Sequence, residues 1–170
     1  MAEPLAKLLR RMLLLAACLA PAWVAALDKP QGTVVLTISG KLGAANAGPK
    51  AVFDMAMLEK LPQHSFTTTT PWHQGPTRFT GPLLRDVLAA AGARGNKLVA
   101  VALNDYKTDI PFSDVDRYEV IVARLLNDKP MPVRDKGPLF IVYPFDSKPE
   151  LKTETFYNRS AWQLHQLQVQ

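Results

Sequence analysis

The sequence predicts an α+β fold, mainly β with a mixed, barrel-like sheet, one main helix and one short helix. Three observations predict it. Short runs rich in Val, Ile and Thr recur along the chain, each bounded by Gly, Pro or Asn-Asp turn signals. A single segment, Pro82 to Ala91, carries sustained helical periodicity. No internal repeat and no long linker divides the chain, whose 170 residues are 48% hydrophobic and 21% charged, the balance of a globular domain with a sizeable core.

Taken in order, Thr33 to Ile38 is β-branched and flanked by Gln31-Gly32 and Ser39-Gly40, and reads as a strand. Gly43 to Pro49 is a small-residue loop. Phe53-Asp54 opens a short helix that Asp54 caps, with Leu58 and Leu61 facing inward and Pro62 closing it. His64 to Thr70 reads as strand, and Pro71 to Gly81 as a Pro- and Gly-rich loop. Pro82 suits the first position of the main helix; Leu84, Val87, Leu88 and Ala91 form its apolar stripe, and Gly92 ends it. Lys97 to Leu103 and Tyr118 to Leu125 are strands. Asn127-Asp128-Lys129 is a turn, and Pro130 and Pro132 confine the next segment to an edge or loop. Leu139 to Tyr143 is an apolar strand and Trp162 to Val169 the last one.

Residues 1–26 read as a secretory signal peptide, leaving one domain at 27–170. Lys7, Arg10 and Arg11 form a positive region ahead of an apolar run, and Val24-Ala25-Ala26 places small residues before a cleavage site. The run is shorter than the roughly 20 residues that span a bilayer, so no membrane span is expected after cleavage and a periplasmic or secreted location is. Leu15-Ala16-Ala17-Cys18 gives a second option, a lipoprotein anchored at Cys18.

Cys18 is the only cysteine. An intramolecular disulfide, a cysteine-rich zinc site and a four-thiolate cluster are therefore excluded, and cleavage after Ala26 leaves no thiol at all. His64, His73 and His165 have no metal-ligand spacing, and neither a Walker loop, a G-x-G-x-x-G nor a G-x-S-x-G elbow occurs. The formal charge of +5 contains no Lys/Arg run, so nucleic acid is not an expected partner.

What stands out is a polar and aromatic set on loops that follow strands, where scaffolds present binding groups. Thr68 and Thr69 lie in a run of four threonines leading to Trp72 and His73. Asn104 and Tyr106 follow the strand ending at Leu103, and Arg134 and Lys136 precede the apolar strand. Hydroxyls and an amide suit the edge of a heterocycle, Trp72 a stacked ring, and Arg134 or Lys136 an anion. A β-branched strand and a solvated turn explain the threonines and the Arg134-Asp135-Lys136 segment equally well.

The segments "VVLTISGKLG", "FTTTTPWHQGPTRFTGPLLRDVLAAAGA", "AVALNDYKTDIP", "KGPLFIVYP" and "NRSAWQLHQLQV" together resemble the molybdopterin-binding domain of the sulfite oxidase-like oxidoreductases, in its short exported form. The resemblance spans roughly Asp28 to Val169. It implies a mixed, mainly β fold that in full-length relatives holds a molybdenum–pterin cofactor. Family enzymes ligate molybdenum through a cysteine just before the tryptophan loop, a position that falls at Thr68 or Thr69 here. The arginine usual after Pro-Leu is Phe140, and the basic residue usual before the late tryptophan is Ala161. A hydroxyl is a poor substitute for a thiolate. The expectation is thus an exported binding or partner module, non-catalytic, whose former cofactor crevice holds a small polar or anionic ligand or a periplasmic protein. The alternative is a molybdopterin-dependent oxidoreductase with non-cysteine ligation.

Overall fold

A computed structural model describes residues 27–170; the expected signal peptide, its cleavage site and Cys18 lie outside them. Eleven strands and four short α-helices make up the described chain, together with three single-turn 3-10 segments. The α+β reading holds, and the strands form three sheets.

The largest sheet has the order β2-β1-β11-β5-β6, built from Ala51–Asp54, Val34–Gly40, Leu164–Val169, Lys97–Ala102 and Lys107–Pro111. It is mixed: β1 runs parallel to β11, and every other neighbour is antiparallel. A second sheet, β3-β4-β8-β9, uses Gln63–Thr68, Thr77–Pro82, Leu125–Leu126 and Lys129–Pro130. Pro130 therefore sits on an edge strand, as its missing N–H requires. The remaining pair joins β7 (Ile121–Ala123) to β10 (Phe140–Val142), and all six residues are buried. Leu36, Ile38, Phe53, Leu98 and Leu167 from the large sheet pack into one core with Phe79, Leu84, Val87 and Leu88.

Asp54 caps α1 (Met55–Lys60) as its spacing predicts, accepting the Met57 amide at 2.8 Å. Its second oxygen takes the amides of Gln31 and Gly32, each at 2.7 Å. Three donated N–H bonds, that of Gly32 foremost, hold this carboxyl below the usual range. The stripe of α2 (Leu84–Ala90) is likewise as read: Leu84, Val87, Leu88 and Ala91 are buried, and Gly92 follows at φ +59°, left-handed backbone that glycine adopts without strain.

Several segments differ from the sequence reading, among them Tyr118 to Leu125, which divides between β7 and β8 in two different sheets. Pro82 ends β4 instead of starting α2. The supposed loop before it is strand from Thr77, where Thr77 and Phe79 face the core and Arg78 faces out. Gly81 belongs there because a Cβ would strike the Val122 carbonyl, so β4 and β7 approach too closely for any side chain. Ala51–Asp54 is strand, so Phe53 and Asp54, read as opening the short helix, end β2 just before it. Two further helices, α3 (Phe112–Arg117) and α4 (Glu154–Arg159), join the expected main and short ones. Among the described residues no helix is long and apolar enough to cross a membrane.

Candidate functional site

Strand β3 ends at Thr68, and its last side chain turns inward. Thr68 is buried, and its Oγ1 accepts the Asp146 amide at 3.0 Å. Thr69 is exposed and donates twice to the same residue: its N–H to Oδ2 at 2.6 Å and its hydroxyl to Oδ1 at 2.7 Å. Lys152 Nζ adds an ion pair at 2.7 Å. Bonding to Lys152 and then to Thr69 draws the Asp146 carboxyl down to about 2. Both threonine hydroxyls thus serve to anchor the Phe145–Ser147 turn onto the end of β3.

The loop beyond is held by Thr70, whose Oγ1 accepts the Trp72 amide at 3.3 Å and shares a 2.9 Å bond with His73 Nδ1. His73 lies against Phe79 and Phe140. Burial first, and the charge of Lys136 second, keep its pKa below the ordinary histidine value, so the imidazole is neutral at neutral pH. Trp72 meets four rings edge to face or nearly so: Phe140, Phe145, Tyr157 and Trp162, with centroids 5.6, 6.3, 6.0 and 5.5 Å away.

On the open side of Trp72 is a cavity of about 200 Å³ lined by Trp72, Asn104, Tyr106, Tyr157, Asn158, Ser160 and Trp162. Asn104 and Tyr106 come from the β5–β6 turn, where Asn104 Oδ1 accepts the Tyr106 amide at 3.2 Å. The Tyr106 hydroxyl donates to the Asn158 carbonyl at 2.8 Å and ties that turn to α4. Behind α4, Arg159 donates to Asp114 at 2.7 Å and the Tyr143 hydroxyl donates to the same oxygen at 2.9 Å. Burial, followed by the charge of Asp114, raises the Tyr143 pKa, so its hydroxyl remains a donor.

Of the residues singled out in the sequence, Trp72, Asn104 and Tyr106 share this cavity. His73 packs on Phe79 and Phe140 and does not line it, and Lys136 reaches it only through Trp162, with Nζ 4.7 Å from that ring's centroid. Thr68 and Thr69 face Asp146 and do not line it. Arg134 points away: its side chain is 86% exposed and lies 3.6 Å from Asp135. Tyr157, Asn158, Ser160 and Trp162 complete the lining without having been singled out. The cluster of aromatic and amide residues at Phe156-Tyr157-Asn158, shortly before Trp162, was the available signal.

The geometry defines a class first: an α+β domain with a mixed sheet that presents an aromatic crevice beyond its strand ends. The chain belongs to the oxidoreductase molybdopterin binding domain family, whose profile matches residues 33–145, more than half of its length. Its fold is that of the sulfane dehydrogenase SoxCD from Paracoccus pantotrophus, with a TM-score of 0.62 at 20% identity over 79% of this chain. The match takes in 37% of that neighbour, so this chain spans little more than a third of its length. Comparison with curated proteins returned no match.

The residues present do not fit molybdenum held by a protein thiolate. The two candidate ligand positions carry neutral hydroxyls, both already bonded to Asp146. Phe140 and Ala161, at the positions where the resemblance implies basic residues, are fully buried among apolar groups and supply no charge. Among the described residues, no group of three or more His, Asp or Glu converges.

Proposed function

We propose that this protein is an exported, non-catalytic member of its family, a binding or partner module that uses the Trp72 crevice for a small polar ligand and not for molybdenum redox chemistry. One observation carries the reading: Thr68 and Thr69, where the family resemblance implies the metal-ligating cysteine, spend their hydroxyls on Asp146. A hydroxyl in that role would have to lose both its proton and its present partner to ligate a metal. The crevice itself offers ring faces, side-chain amides and a nearby ammonium, the mixture of apolar wall and few polar groups usual for small-ligand sites. An anionic ligand is the less favoured variant, because Arg134 lies in solvent and only Lys136 remains close.

The test is metal analysis and an absorption spectrum on protein purified from the exported fraction of cells well supplied with cofactor. The expected result is a chain beginning at Leu27 with far less than one molybdenum per chain and no pterin absorbance. Stoichiometric molybdenum would overturn the reading and establish an oxidoreductase with non-cysteine ligation.

A further inference from the structure

The cavity beside Trp72 is walled by aromatic rings set at right angles. Trp162 stands at 88° to Trp72 with centroids 5.5 Å apart, and Tyr157 at 82° with centroids 6.0 Å apart. Trp72, Trp162, Tyr157 and Tyr106 all line the cavity, with the planes of Trp162 and Tyr157 nearly perpendicular to that of Trp72. Four aromatic side chains in differing orientations around one small volume suit a compact group, whereas a flat ligand such as a sugar ring needs one open platform. The space of about 200 Å³ admits a group the size of a trimethylammonium with a short tail.

The lining contains no carboxylate and no cation. A bare ammonium entering it would shed tightly held water and find no charged acceptor, which costs far more than ring faces return. A methylated ammonium is weakly hydrated, and its diffuse charge is what the negative faces of Trp and Tyr attract. Trp162 already shows that affinity: Lys136 Nζ lies over the ring without lining the cavity, engaging it from outside. For a polar tail, Asn104 keeps its amide N–H2 after its oxygen has taken the Tyr106 amide, and Asn158 adds its own side-chain amide.

We infer that this aromatic cavity binds a quaternary or otherwise fully methylated ammonium bearing a short hydroxyl tail. The inference rests on the crevice being a ligand site, as proposed above, and names the chemical class it takes.

Calorimetric titration of the exported protein with choline tests it, alongside 3,3-dimethyl-1-butanol, the neutral carbon isostere, and ethanolamine, the unmethylated amine. Choline is expected to bind saturably and about tenfold more tightly than either. Lys136→Ala, which removes a competing cation from Trp162, is expected to tighten choline binding about two- to threefold and leave the isostere unchanged. Trp162→Leu is expected to abolish the preference for choline; should that variant fail to fold, the Lys136→Ala and isostere comparisons decide. Absence of saturable choline binding, or equal or tighter binding of the isostere or of ethanolamine, would overturn the inference. None of these results bears on metal content, so the proposal above stands or falls on its own measurement.

Discussion

Asp114 and Asp146 each hold one hydroxyl and one cation at nearly the same distances, in very different surroundings. Asp114 takes Tyr143 at 2.9 Å and Arg159 at 2.7 Å, with side chains only 9% and 23% exposed for the ion pair. Asp146 takes Thr69 and Lys152 at 2.7 Å each, but its carboxylate is 35% exposed and the lysine 48%. In the first cluster the protein has replaced water and must keep every partner in place. In the second, water stands ready to substitute for any partner that leaves. Similar sets of partners therefore imply different roles: the buried cluster locks α3, α4 and Tyr143, the residue after β10, together behind the crevice, while the exposed one fixes a surface turn.

The sharpest way to break this contrast is to remove the buried cation. Arg159→Met leaves the Asp114 charge with Tyr143 alone, and a loss of about 3–5 kcal/mol in denaturant melts is expected, the usual range for an orphaned buried charge. A loss below about 1 kcal/mol would mean that water reaches Asp114 and the two clusters are alike. Thr68→Val comes next. It keeps the shape but takes the acceptor from the Asp146 amide, and should cost about 1 kcal/mol. Smallest is Asp146→Ala, expected within about 1 kcal/mol and shrinking further in high salt.

Acid titration sharpens the same comparison. The Asp146 carboxyl is held at about 2 in the fold against an ordinary 3.8, so the unfolded chain binds its proton first as pH falls. Its contribution is complete above about pH 4 and disappears between about 4 and 2. His73 works at the other end. Its lowered pKa means that the unfolded state also takes up the proton first, so stability falls as pH drops below the ordinary histidine value of 6.5. Comparing wild type with His73→Gln and Asp146→Ala in urea melts from about pH 8 to about pH 2 separates the two: the histidine variant should flatten the upper slope and the aspartate variant the lower.

How much of this was legible in the chain depends on the range over which each feature is encoded. The Asp54 cap and the Leu84-Val87-Leu88-Ala91 stripe are local patterns, and both are found as read. Strand β4 was hidden because Pro76, Gly81 and Pro82 look like loop punctuation, and the reason for Gly81, the Val122 carbonyl, lies on another strand. Helices α3 and α4 have six residues each, too few to display a period. Their positions are fixed by the Asp114–Arg159 bond, whose partners are far apart in sequence. The crevice divides along the same line. Trp72, Asn104 and Tyr106 announce themselves as ring and amide groups after strands, but Tyr157 and Asn158 join them through α4, which Tyr106 ties to the β5–β6 turn from 52 residues away in sequence.

Strand β11 stands in the middle of the five-stranded sheet although it is the last strand of the described residues. Thr37 on β1 pairs with Gln166 on β11, roughly 130 residues later, a separation that makes this ladder slow to assemble. Before it forms, β1 with β2 and β5 with β6 are two antiparallel ribbons with bare edges and nothing between them. A chain emerging from the ribosome N-terminus first thus cannot close its principal sheet until β11 has been made. The wait for β11 keeps the preceding segments in a threadable state, which suits a protein proposed to cross a membrane before it folds.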